Sequence, residues 1–161
     1  MDETTLDAII SRHDAPDGRL LGILGEIQDT EGYIPRETLT MLSEKLDVRR
    51  SHLYSLVTFY SYFSLTPVGE HIITVCMGTA CHVKGAPEIL KALEEMLKIT
   101  SDTSEDGKFS ITTEDKKFTL EIARCFGACS MAPVLGVDGN LYGYATKEDL
   151  PAILAEYGWE P

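Results

Sequence analysis

The sequence predicts an α/β fold in two parts, an N-terminal helical bundle over residues 1–68 followed by an α/β domain over residues 69–161. Three observations carry that expectation. Apolar residues up to about Leu65 recur at helical spacing, whereas from His71 onward short β-branched runs alternate with one strongly amphipathic stretch. Between the two patterns stands Pro67-Val68-Gly69, a local breaker.

The elements follow in order. An opening helix is expected near Leu6–Ser11. Leu20, Ile23, Leu24 and Ile27 fall at i, i+3, i+4 and i+7, which is one buried helix face, and Gly32 and Pro35 end it. Leu39, Leu42 and Leu46 give a further stripe. Leu53, Leu56, Val57 and Tyr60 give another, with Tyr60 expected in the core. His71-Ile72-Ile73-Thr74-Val75 reads as a buried strand that ends at Cys76. Pro87 suits the first turn of a helix carrying Ile89, Leu90, Leu93, Met96 and Leu97, because its missing amide has no intrahelical partner there. Residues 100–107 are polar and acidic and read as a loop, with Asp102–Asp106 a solvated turn. Strands are expected at Lys108–Thr112 and Lys117–Ala123, the second delivering Cys125. Pro133–Val137 and Leu141–Tyr144 flank Asp138-Gly139-Asn140, whose residues tolerate the positive φ of a tight hairpin. A final helix is expected over Lys147–Tyr157, capped by Thr146 with Glu148 in its first turn. The order strand, helix, strands, hairpin, helix fits a small α/β sandwich of the thioredoxin type.

Composition narrows the function. The chain has 161 residues, 43% of them hydrophobic and 25% charged, as in ordinary globular proteins. Its formal charge of −12 opposes binding to nucleic acid or anionic lipid, which needs concentrated Lys and Arg. No apolar run is long enough to span a bilayer. The acidic start Met1-Asp2-Glu3-Thr4-Thr5 has neither a secretion-signal nor a transit-peptide pattern. The expectation is a cytoplasmic chain without direct membrane insertion, in which close cysteine pairs favour metal or redox chemistry over structural disulfides.

The four cysteines form two such pairs, Cys76-x4-Cys81 and Cys125-x3-Cys129, with 43 residues between the pairs. Small residues fill both: Met77-Gly78-Thr79-Ala80 and Phe126-Gly127-Ala128. Glycine lets backbone amides approach closely, and amide hydrogen bonds to sulfur help set the potential of an iron–sulfur cluster. Met77, Val83, Phe126, Met131 and Val134 are expected to shield such a site from water. Three chemistries remain open on spacing alone: an iron–sulfur cluster, a four-cysteine zinc site in a non-enzymatic interaction module, and a dithiol centre. The dithiol motif Cys-x-x-Cys is absent. The plant-type ferredoxin spacing also fails, since position 84 is Lys.

The segments Cys76-Met77-Gly78-Thr79-Ala80-Cys81 with Val83-Lys84-Gly85-Ala86, and Cys125-Phe126-Gly127-Ala128-Cys129-Ser130-Met131-Ala132-Pro133, resemble the two ligand segments of the thioredoxin-like 2Fe-2S ferredoxin family. This family includes the 24 kDa subunit of respiratory complex I. The likeness extends upstream through Leu24–Pro35 and Val57-Thr58-Phe59-Tyr60, so it covers nearly the whole chain. The Gly-Thr-Ala-Cys-His-Val-Lys-Gly stretch is most similar to small subunits of soluble NAD(P)-linked hydrogenases and formate dehydrogenases, including electron-bifurcating ones. The resemblance implies one 2Fe-2S cluster held by Cys76, Cys81, Cys125 and Cys129, the first pair on one iron and the second on the other. It implies an electron-transfer subunit, not itself catalytic, in a cytoplasmic NAD(P)H-linked oxidoreductase. FMN and NAD(P) are then expected on a partner subunit, beside a further iron–sulfur catalytic subunit. A peripheral-arm subunit of complex I is the alternative within the family.

The remaining candidates are assigned less. His82 adjoins Cys81, but a Rieske site replaces two cysteines by two histidines and all four cysteines are present here. His13, His52 and His71 show no ligand spacing. Tyr54, Phe59, Tyr60, Tyr62 and Phe63 exceed what one helix face buries, so part of them is expected on a docking surface. Lys84 and Arg124 are solvated charges or local offsets to an anionic cluster. No dinucleotide fingerprint or phosphate loop occurs, so the chain itself is expected to bind neither NAD nor flavin.

Overall fold

The computed structural model describes residues 1–14, 18–99 and 109–160. Two compact units divide at Val68 and Gly69. The loop expected over residues 100–107, including Asp102–Asp106, and Lys108 at the start of a predicted strand lie outside the described residues.

The first unit consists of four helices: α1 Glu3–Arg12, α2 Arg19–Glu31, α3 Arg36–Leu46 and α4 Arg50–Phe59. Each presents its apolar stripe inward, and Leu6, Ile9, Ile23, Leu24, Ile27, Leu39, Leu42, Leu53 and Val57 form one core. Burying an aliphatic side chain of this kind contributes about 1.5–3 kcal/mol, so the repeated stripe is what holds these short helices. The chain after α4 is pinned back on α2: the Ser64 amide donates to Gln28 Oε1 at 3.0 Å, and the Ile34 amide to the Ser64 carbonyl at 2.7 Å.

One expectation fails here. Tyr60 is 39% exposed, and Phe63 fills the core in its place. The helix stops at Phe59 and Tyr60 turns extended at φ −86°, ψ 125°, which takes its side chain off the helical stripe. Phe59 and Tyr62 are exposed as well, Tyr62 donating its hydroxyl to Asp29.

The second unit is a five-stranded sheet with helices: β1 His71–Cys76, α5 Thr79–Val83, α6 Ala86–Leu97, β2 Ser110–Thr112, β3 Phe118–Ala123, β4 Val134–Val137, β5 Asn140–Gly143 and α7 Leu150–Ala155. The strand order is β2-β3-β1-β4-β5. β1 runs parallel to β3, with Cys76 opposite Ala123, and antiparallel to β4, with Val75 opposite Leu135. Ile73, Val75, Leu120, Leu135 and Val137 meet Ile89 and Leu93 of α6 and Leu150 and Leu154 of α7 in a second core.

Three further differences from the sequence reading lie in this unit. The last helix begins at Leu150 rather than Lys147, because Pro151 is accommodated only in a first turn. Thr146 does not cap it; its amide and hydroxyl instead donate to Asp149 Oδ2 at 2.9 and 2.7 Å, closing a turn before the helix. Where a loop of small residues is expected between the first two cysteines, Thr79 and Ala80 instead begin the short helix α5, which carries Cys81. The hairpin is as tight as its residues predict: Val137 pairs with Asn140, and Asp138 and Gly139 both take positive φ, at 50° and 83°. Among the described residues, no helix is long and apolar enough to cross a membrane.

Candidate metal centre

Topology brings the cysteines together. Because β3 is parallel to β1, it leaves the sheet at the end where Cys76 ends β1. Because β4 is antiparallel to β1, it re-enters the sheet at that same end. The connection from Arg124 to Pro133 must therefore arch over the end of β1, and it carries Cys125 and Cys129 across Cys76. The first turn of α5 brings Cys81 back to the same place, just behind the strand end.

All four thiols line one pocket of about 490 Å³, together with Met77, Gly78, Thr79, Ala80 and Arg124. None is joined in a disulfide. Cys125 Sγ and Cys129 Sγ are 4.0 Å apart. The thiols contact each other as two pairs, Cys76 with Cys81 and Cys125 with Cys129.

Electrostatics separates the pairs. Cys76 is 3% exposed and Cys81 2%, whereas Cys125 and Cys129 are open to solvent. Burial works against ionising Cys76, but hydrogen bonds from the Gly78 amide, the Cys81 thiol and the Phe126 amide outweigh it and hold this thiol below its ordinary value. Cys81 is pushed up, first by burial and then by its bond to Cys76, while the Val134 amide acts the other way. Cys129 is pushed up by its bond to Cys125 and by the charge there. Within each interacting pair, one thiolate discourages the second.

The donor set fits a two-iron cluster. Four thiols are gathered in pairs, and backbone amides from both loops and from the start of β4 already aim at sulfur: Gly78 and Phe126 at Cys76, Val134 at Cys81, and Gly127 at Cys125 at 3.2 Å. Such amides stabilise the negative charge of a thiolate–iron unit. Sequence reasoning finds the thiols but not these donors, since they are main-chain groups; the small residues between the cysteines are their only trace. A side chain at Gly78 would put its Cβ 2.4 Å from the Arg124 carbonyl oxygen, so the glycine is what lets the two loops touch.

The shielding expected from five apolar residues is only partly present. Val134 is buried, and Met77 and Phe126 are half-buried, but Val83 is 79% exposed and Met131 36%. Val83 lies on the outer side of α5, and Met131 on the outward turn that follows Cys129. The remaining sequence candidates divide. Arg124 lines the pocket; Lys84 and His82 are exposed and do not. His71 contacts Asp138 at 2.7 Å and His13 contacts Glu26 at 2.9 Å, so both serve the fold. A larger cleft of about 810 Å³, between Met96, Ile99, Phe118 and Trp159, lies at the other end of the sheet and contains none of the thiols.

Comparison with known proteins shows the family. The model of the thioredoxin-like 2Fe-2S ferredoxin family matches residues 6–158. The HndA component of the NADP-reducing hydrogenase of Solidesulfovibrio fructosivorans is 39% identical over 88% of this chain and 78% of its own length. An NADH-quinone oxidoreductase subunit of Aquifex aeolicus is 36% identical over 86% of this chain and 81% of its own. Both relatives are components of oxidoreductases. A solved NAD+-reducing NiFe-hydrogenase shares the fold at a TM-score of 0.62 and 17% identity, over 85% of this chain and 23% of that longer one. The chain is a member of the thioredoxin-like 2Fe-2S ferredoxin family.

Proposed function

We propose that the chain carries one 2Fe-2S cluster on Cys76, Cys81, Cys125 and Cys129 and serves as the electron-transfer subunit of a multisubunit NAD(P)H-linked oxidoreductase. One observation carries the reading: thiols from two loops line a single pocket at the end of the sheet, with backbone amides directed at their sulfurs. Cys76 and Cys81 would bind one iron, and Cys125 and Cys129 the other. When bound, such a cluster takes up and returns one electron at a time. The chain's own contribution is to supply four thiolates, to stabilise them with the Gly78, Phe126, Gly127 and Val134 amides, and to bury one pair while leaving the other at the surface. Since about 59 mV changes a one-electron equilibrium tenfold, modest changes at these amides decide how readily the electron is held.

The hydrogenase relative supports a hydrogenase-type assembly. A respiratory complex I arm is the second reading, favoured by the NADH-quinone oxidoreductase relative. In either, FMN and NAD(P) belong on a partner subunit, because this sequence has no nucleotide fingerprint. Substrate chemistry then belongs to a further iron–sulfur subunit. The chain itself is non-catalytic and works in the cytoplasm. Residues 69–161 form its cluster domain and residues 1–68 its helical segment.

The test is visible absorption, reduced-state electron paramagnetic resonance and metal analysis of protein purified without oxygen. The expected result is a coloured protein with two irons and two sulfides per chain and a spin signal on one-electron reduction. A colourless, spin-silent protein holding one zinc overturns the reading in favour of a structural interaction module. Cys125→Ala is expected to lose or disturb the cluster; an unaltered spectrum would remove Cys125 from the ligand set.

A further inference from the structure

The two pairs differ in a way that cluster binding does not itself demand. Cys76 and Cys81 are buried, whereas Cys125 and Cys129 are exposed on the loop that arches over the end of β1. In this outer pair the sulfurs stand 4.0 Å apart, and Cys125 Sγ accepts the Gly127 amide at 3.2 Å. We propose that, before iron is loaded, the outer pair is a reversible dithiol switch: small-molecule disulfides such as oxidised glutathione convert it to a Cys125–Cys129 disulfide that closes the site to cluster assembly. The closing step rests on the ligand assignment above, since the bond removes two of the four thiolates and leaves only the inner pair.

The chemistry is two successive thiol–disulfide exchanges. Cys125, exposed on the arching loop, attacks one sulfur of the small disulfide; that S–S bond breaks and one small thiolate leaves. Cys129 then attacks Cys125 Sγ in the mixed disulfide, releasing the second small thiolate. The protein dithiol is oxidised by two electrons, the small disulfide is reduced to two thiols, and the two protons pass from the cysteines to the released thiolates. A disulfide brings its sulfurs to about 2 Å, a change that side-chain rotation in an exposed loop can supply. Exchange requires approach along the S–S axis of the attacked disulfide, and Cys125 is exposed where Cys76 is buried, so the outer pair is reached first. Access selects the outer pair.

The experiment uses the full chain, stripped of iron and kept reduced under nitrogen, then treated with oxidised glutathione. Remaining thiols are alkylated and the peptides are read by mass spectrometry. The expected result is loss of two of the four thiols, with Cys125 and Cys129 joined and Cys76 and Cys81 still alkylated. Iron and sulfide uptake should then fail and return on adding dithiothreitol. Cys129→Ser should retain one glutathionyl group on Cys125, because the second exchange is missing. Loss of all four thiols, a bond between Cys76 and Cys81, a bond between the two loops, or full cluster uptake by the oxidised chain overturns the proposal. Failure of the cluster assignment reads differently: the reduced, untreated chain would then take up no iron and sulfide, whatever its thiols had done with glutathione.

Discussion

At the scale of single residues, the four thiols lean on main-chain donors as much as on neighbouring side chains. The Gly78, Phe126, Gly127 and Val134 amides are main-chain groups whose direction depends on how two loops meet, and a sequence records only that glycine allows it. Gly78→Ala is therefore a sharp probe. Its Cβ would lie 2.4 Å from the Arg124 carbonyl oxygen, and backbone cannot swing aside as a flexible side chain would. We expect a loss of about 1–3 kcal/mol of stability and reduced iron content per chain, read by thermal unfolding and metal analysis. Gly25→Ala is the contrast: it lies inside α2 with nothing within 4 Å of the added carbon, so a gain of about 0.5–1 kcal/mol is expected. Tyr60 and Phe63 show the limit of periodicity at this scale. The stripe through Leu53, Leu56 and Val57 extends to Tyr60 in register, but the helix ends one residue earlier, and the next turn of chain carries Phe63 inward instead.

At the scale of elements, helices and strands were readable wherever one face had to be buried, and least readable at their ends. The second unit depends on α6, whose Ile89 and Leu93 pack against the sheet. Leu93 is fully buried, so Leu93→Ala is expected to lower stability by about 2–5 kcal/mol, measured by urea unfolding. The sequence places the start of α7 three residues early because Thr146 is a good capping residue, but its hydroxyl donates to Asp149 instead and Pro151 fits only in the first turn. Asp149 carries a pH signature. Hydrogen bonds from the Thr146 hydroxyl and amide lower its pKa from 3.8, so folding favours the carboxylate. That contribution is complete well above 3.8 and fades as the pH falls through the lower, folded value. Asp149→Asn should melt below the parent chain at neutral pH, and the gap should close in acid; thermal scans across that range measure it.

At the scale of the whole molecule, each of the two units has its own core, with the four cysteines in the second. A chain comprising residues 69–161 alone is therefore expected to fold and to take up iron and sulfide as the full chain does, measured by visible absorption and metal content. If it stays unfolded or empty, the helical segment is needed for the site. The sequence by itself determined where the four thiols lie along the chain, where helical period gives way to strand period, and that two strands end near thiols, because these depend on side-chain identity and local backbone preference. The order β2-β3-β1-β4-β5 was decided only by the tertiary structure, since which strands become neighbours depends on how sheet and helices bury one another rather than on any local pattern. That order makes one neighbour of β1 parallel and the other antiparallel, and so forces the second cysteine loop across the first. It also buries one pair and exposes the other, a difference that no spacing of cysteines along the chain encodes.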